Sequence, residues 1–156
     1  MTPTDDPTPC NPSKTWLAPA KLNLFLHILG RRSDGYHQLQ TLFELVDLYD
    51  ELTFTTNDAG RIELVNHTAP WPADSDLTVR AARLLQPHAD SRVNRQPGIE
   101  PGGKPGVEIE IRKRIPAGAG LGGGSSDAAT TLLALNHYWG VGLNQDQLAK
   151  LGLQLG

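Results

Sequence analysis

Cysteine is almost missing from this chain of 156 residues: Cys10 stands alone, so no internal disulfide can form. The histidines offer no metal site either. His27, His37, His67, His88 and His137 are scattered, with no H-x-x-x-H pair and no Cys/His cluster at zinc spacing, so no metal-ligating residue is expected. Positive charge is scarce as well. With 14 Lys and Arg against 17 Asp and Glu, the net charge of −3 gives no electrostatic case for a nucleic-acid partner. No stretch approaches the roughly 18 consecutive apolar residues of a membrane span. No basic segment followed by an apolar run opens the chain, so neither a signal peptide nor a membrane partner is expected, and the cytoplasm is the default location. No internal repeat is evident. What remains is 38% hydrophobic and 20% charged, the composition of an ordinary soluble domain with enough length to bury a core.

Glycine is abundant, and it is concentrated. The run Pro116-Ala117-Gly118-Ala119-Gly120-Leu121-Gly122-Gly123-Gly124-Ser125-Ser126-Asp127 follows a segment, Val107 to Ile115, in which apolar and charged residues alternate as in a half-buried strand. After it, Ala128, Leu132, Leu135 and Trp139 recur at helical spacing, with Ser125, Ser126 and Asp127 expected to supply the cap and first turn. A glycine loop at a strand-to-helix junction lets backbone N–H groups approach a ligand closely. The helix start adds unpaired donors and a partial charge of about +0.5. Such an assembly suits a phosphate. It is not a Walker A loop, because no Lys follows the glycines. Gly118, Gly120 and Gly123 do fit the dinucleotide pattern G-x-G-x-x-G. The helix is nevertheless followed by Gly140, Gly142 and a second helix over Asn144 to Gln154, where that motif wants a strand with an acidic end.

Residues 1–13 are proline-rich and polar and read as a disordered tail. Lys14 to Ala18 is strand-like, and Pro19 is expected to interrupt it. Beyond it Leu22, Leu24, Leu26 and Ile28 share one strand face, and Lys21, Asn23, Phe25 and His27 share the other. An ammonium two residues from an amide is either an ordinary solvated face or a site. Gly30 to Gly35 reads as a turn, and Tyr36-His37 opens another strand through Leu39, Thr41, Phe43 and Leu45. Asp50 to Thr56 and Arg61 to His67 read as a hairpin about Asn-Asp-Ala-Gly. Ser75-Asp76 caps a helix through Leu77, Ala81, Leu84 and Leu85, and Pro87 to Gly106 reads as a long surface loop. Arg112-Lys113-Arg114 reads mostly as the solvent face of the strand entering the glycine loop. The order of elements predicts an α+β fold, a mixed and mostly antiparallel sheet with helices on one face.

Two stretches together resemble a known family. They are Pro19-Ala20-Lys21-Leu22-Asn23-Leu24 with Asp34-Gly35-Tyr36-His37, Leu39-Gln40-Thr41 and Phe43, and the loop from Pro116 to Ala128. These resemble the 4-diphosphocytidyl-2-C-methyl-D-erythritol kinases of the GHMP superfamily, over about Trp16 to Gly156. The resemblance implies a GHMP N-terminal, ATP-binding domain over 14–156, like the second domain of ribosomal protein S5. It also implies a kinase that moves the ATP γ-phosphate to the 2-hydroxyl of a cytidine-diphosphate-linked methylerythritol, in isoprenoid precursor synthesis. Carried over by residue, Pro116, Ala117, Gly118, Ala119, Gly120, Leu121, Gly122, Gly123, Gly124, Ser125 and Ser126 become the ATP loop, and Lys21 the catalytic lysine. Asn23, Tyr36 and His37 become substrate contacts, the last two for the cytidine. The co-substrate implied is ATP with Mg²⁺, for which Asp127 is a candidate ligand beside its simpler role at a helix start. The family's catalytic aspartate and ferredoxin-like second domain belong after the Leu155-Gly156 position, so the chain reads as an N-terminal portion that is not expected to turn over by itself. Two other readings stay open here: a dinucleotide-dependent oxidoreductase, and a non-catalytic phosphate- or RNA-binding module.

Overall fold

The computed structural model describes residues 14–31, 35, 37–66, 71–89 and 103–155. The readings made above for 1–13, for 32–34, for Tyr36 and for most of the 87–106 loop fall outside these residues. Among the described residues, four strands and three α-helices follow in the order β1 (Trp16–Arg31), β2 (His37–Asn57), β3 (Ile62–Leu64), α1 (Leu77–Leu85), β4 (Gly106–Arg112), α2 (Gly123–Tyr138) and α3 (Gln145–Gly152). They form one sheet in the order β1-β2-β4-β3. Neighbouring strands are antiparallel except β3 and β4, which run parallel.

The sheet is mixed for a reason that the sequence conceals. Asn57 does shape a turn, accepting the Ala59 N–H at 3.1 Å and donating to the Arg61 carbonyl at 3.2 Å. The chain leaving that turn does not fold back onto β2. Gly106 at the head of β4 takes the place beside Asn57, so close that any Cβ there would overlap both the Asn57 side chain and the Arg61 backbone. The expected hairpin is therefore absent. β3 pairs instead with the far edge of β4, and the parallel connection passes through α1, as parallel strands require.

Pro19 does not interrupt β1 either. It lies opposite Tyr49, and the register shifts by a bulge between Pro19 and Ala20, which absorbs the missing N–H without ending the strand. One face of the sheet is covered by the helices. Ala18, Leu52, Phe54, Val107 and Ile109 meet Ala81, Leu85, Leu132, Leu135 and Trp139 in a single core, while Thr55, Glu108 and Glu110 between them face outward. Asp76 caps α1 by accepting the Thr78 N–H at 2.9 Å. Asn144 and Gln147 form a reciprocal capping box on α3.

Beyond Ala20, β1 and β2 continue as a two-stranded arm that the core does not cover. A second bulge, between Asn23 and Phe25, breaks the expected alternation: Asn23 pairs with Phe43 and Phe25 with Leu42. Lys21, Asn23, Leu26 and Ile28 therefore share one face, and Phe25 and His27 lie on the other, their rings 5.4 Å apart. Leu26, Ile28, Phe43 and Leu45 are 44%, 64%, 53% and 59% exposed on the Lys21 face, a contiguous apolar surface on an unprotected arm. The 156-residue chain is accordingly expected to self-associate as its concentration rises. Sedimentation velocity should show this, with Ile28→Lys and Phe43→Lys together shifting the distribution to monomer.

Candidate active site

Left-handed glycines alternate with ordinary residues along the run. Gly118, Gly120 and Gly122 all have φ between +71° and +74°, which L side chains adopt only with strain. Gly122 is itself the N-cap of α2, and the Ser126 N–H donates to its carbonyl at 2.9 Å. The helix therefore begins at Gly123, two residues before the expected Ser125, and no side chain caps it. Ser125 and Ser126 sit inside the first turn rather than ahead of it. With no side-chain cap, the N–H groups of Gly123, Gly124 and Ser125, ahead of the first intrahelical bond, stay available to an anion.

The run from Pro116 to Ser125 lines a cleft of about 860 Å³, with Trp71, Asp76, Lys113 and Asp127 on its walls. Ser126 does not line it. Lys21 reaches the loop from the β1 side instead. Its backbone N–H donates to the Leu121 carbonyl at 2.9 Å. Its aliphatic stem lies along Gly122, so that a Cβ added there would be 3.0 Å from the Lys21 Cε. The ammonium donates to Asn23 Oδ1 at 3.2 Å, and that oxygen also accepts from Thr41 Oγ1 at 3.3 Å. Thr41, given no site role in the sequence reading, holds the bulge by donating to the Phe25 carbonyl at 2.7 Å. The structure thus brings Lys21 and Asn23 to the loop. His37 is not among them. It pairs with Arg31, ten positions beyond Lys21 along β1, roughly 30 Å of extended strand. Tyr36 lies outside the described residues.

Beneath the loop lies a cluster of charges that the reading of Arg112 to Arg114 as solvent face overlooked. Lys113 Nζ donates to Asp50 Oδ2 at 2.5 Å and to Asp127 Oδ2 at 2.7 Å. Asp50 is fully buried, and its Oδ1 accepts the N–H groups of Arg114 at 2.6 Å and Ile115 at 2.9 Å. Asp127, 3% exposed, has an Oδ1 with no hydrogen-bond partner. Burial pushes its carboxyl up, Lys113 only partly offsets this, and the pKa stands at about 6. Burial also acts on Asp50, but the Ile115 and Arg114 N–H donors and the Lys113 ammonium outweigh it and hold Asp50 below the ordinary range. Burial likewise opposes the Lys113 charge, and the two carboxylates reverse that and raise its pKa.

The signs set a pH response. A carboxyl raised in the fold takes up its proton before the unfolded chain does, so Asp127 adds stability as pH falls from about 7 toward 4. Asp50, lowered in the fold, contributes above the unfolded pKa and loses that contribution at more acid pH. In urea unfolding, wild type should therefore gain stability relative to Asp127→Asn as pH falls from about 7 toward 4, and the two should run parallel above pH 7.

Residues 76–156 match the model of the GHMP kinases N terminal domain. A 4-diphosphocytidyl-2-C-methyl-D-erythritol kinase from Herminiimonas arsenicoxydans is 58% identical over 139 residues, which are 89% of this chain and 46% of that protein. The enzyme of the same name from Pseudomonas aeruginosa strain LESB58 is 56% identical over 140 residues, 89% of this chain and 45% of its own. The crystal structure of a 4-(cytidine 5'-diphospho)-2C-methyl-D-erythritol kinase superposes with a TM-score of 0.68 at 40% identity, covering 92% of this chain and 46% of that one. The chain thus spans about half the length of the curated relatives it matches. A loop of left-handed glycines at a helix start, a lysine from the first strand laid against it and the matched stretch from Asp76 onward agree: this chain belongs to the GHMP kinases, as their N-terminal domain.

Proposed function

We propose that this chain is the ATP-binding part of a 4-diphosphocytidyl-2-C-methyl-D-erythritol kinase, working in the cytoplasm on the route to isoprenoid precursors. The reaction moves the ATP γ-phosphate to the 2-hydroxyl of the cytidine-diphosphate-linked methylerythritol. The observation that carries this reading is the contact between Lys21 and Gly122, which sets an ammonium against the phosphate cradle. In that geometry the backbone N–H groups of residues 118–125 hold the polyphosphate in the cleft. Lys21 faces the transferring group and offsets charge on the γ-phosphate and on the acceptor oxygen as its proton leaves. Asn23 fixes the ammonium by accepting from it. The acceptor lies along the arm, on the face that carries Lys21 and Asn23.

Mg²⁺ is the usual counter-ion of ATP, where it neutralises β- and γ-oxygens. The described residues do not fit a resident metal. No three His, Cys, Asp or Glu side chains converge among them, and the acidic residue nearest the helix start, Asp127, already holds an ammonium on one oxygen. No step is assigned to a protein-held metal.

The test is calorimetric titration with ATP and with NADH, followed by an assay of ADP release with the cytidine-diphosphate-linked acceptor in a protein that joins this chain to its second domain. ATP binding that NADH does not compete with supports the kinase. Tight NADH binding with indifference to ATP overturns it in favour of a dinucleotide enzyme.

A further inference from the structure

Both ends of the glycine loop converge on one side chain that the cleft does not expose. At the entry, Asp50 Oδ1 accepts the N–H groups of Arg114 and Ile115. At the exit, the first residue of α2 lies close by, since a Cβ on Gly123 would stand 2.9 Å from Ile115 Cγ2 and 3.4 Å from Asp50 Oδ2, but the tie there runs through Lys113. Asp50 Oδ2 in turn holds Lys113, whose other partner is Asp127 on the second turn of α2. One carboxylate on β2 therefore ties the end of β4 to the start of α2, and the loop spans the gap between them. Only the loop's own ends are fixed this way. At Gly118 and Gly120, in its middle, an added Cβ meets nothing within 4 Å.

We infer that Asp50 is a positioning residue for nucleotide binding, clamping both ends of the phosphate loop so that its backbone donors are preset before ATP arrives. Asp50 does not touch ligand in this scheme; it acts through residues 113, 114 and 115. A loop whose ends are held loses little conformational freedom on binding, whereas an unclamped glycine run must be ordered by the ligand itself. Lys113 is the counter-ion that makes a buried Asp50 tolerable, and Asp127 shares that ammonium. This inference rests on the loop being the phosphate site proposed above.

Hydrogen–deuterium exchange of the ligand-free chain tests it first, because that measurement needs no nucleotide. Asp50→Asn keeps size and one acceptor oxygen but discards the charge that holds Lys113. It is expected to raise exchange of peptides spanning 114–126 while peptides from the β1–β2 arm stay as in wild type. ATP affinity of the same variant should fall about tenfold or more, the scale on which small misplacements of a site act. Unchanged loop exchange in a folded Asp50→Asn protein overturns the inference. So does faster exchange spread evenly over the whole core, which marks a purely structural role. If Asp50→Asn does not fold, Lys113→Arg, which retains the charge and alters its reach, is read in the same way. Should wild type fail to bind ATP at all, the proposed function falls, and the exchange result still decides what Asp50 does to the loop.

Discussion

In a protein that joins this chain to its second domain, Lys21→Met is expected to slow phosphoryl transfer by about 10²–10³-fold while ATP affinity changes only a few-fold, the range seen when one preorganised charge-stabilising donor is removed. The split follows from where the side chain sits. Lys21 is not among the residues that line the 860 Å³ cleft, so the nucleotide's contacts with the glycine backbone survive its loss. What disappears is the ammonium on the arm side of Gly122, where charge develops only as the phosphate moves. Methionine keeps most of the stem, so packing against Gly122 is largely preserved. Gly122→Ala is the companion variant. Its Cβ would press on Lys21 Cε, Cγ and Cδ at 3.0, 3.1 and 3.3 Å, whereas the same change at Gly118 meets nothing. Both variants carry the strain of a left-handed alanine, about 1–2 kcal/mol. Only Gly122→Ala also displaces the ammonium. Its transfer rate should therefore fall well below that of Gly118→Ala when ADP release is followed at saturating ATP. Equal rates in the two alanine variants would remove Lys21 from the reacting centre.

The second large effect is on stability. Lys113→Met leaves the carboxylates of Asp50 and Asp127, 0% and 5% exposed, without their shared cation. Breaking a buried ion pair by removing one partner typically costs about 3–5 kcal/mol, a large part of a small domain's stability. Lys113 is itself 42% exposed, so water reaches part of the cluster and the lower end of that range is expected. Adding Asp127→Asn to Lys113→Met should recover part of the loss, because one of the two orphaned charges is gone. Urea unfolding at pH 7 checks both. A double variant no more stable than Lys113→Met would mean that Asp127, once Lys113 no longer lowers its pKa, has already taken up a proton at pH 7.

The exposed Lys21 face of the arm bears on both experiments. Leu26, Ile28, Phe43 and Leu45 form the wall along which the proposed acceptor would lie. They are also the surface through which the chain is expected to self-associate. Transfer assays and unfolding curves are therefore best compared at a concentration where sedimentation shows monomer.

The sequence by itself determined the glycine loop, because a loop of bare backbone at a strand-to-helix junction is a matter of local chemistry: glycine density, a strand period before it and a helix period after it. It determined the α+β class and the helices for the same reason, since periodicity and caps are read within one segment. Even the buried charges left a trace. Lys113, one residue past β4, continues the parity of Val107, Ile109 and Ile111, and Asp50 on β2 has that of Leu52 and Phe54. Only the tertiary structure decided that these two charges meet each other and Asp127, that β4 rather than β3 lies beside β2, and that a bulge moves Phe25 off the Lys21 face. Each of these depends on which distant residue stands opposite: Gly106 against Asn57, Phe43 against Asn23, Asp50 against Ile115. Such pairings are fixed by close packing between segments far apart in the chain, and no local pattern carries them.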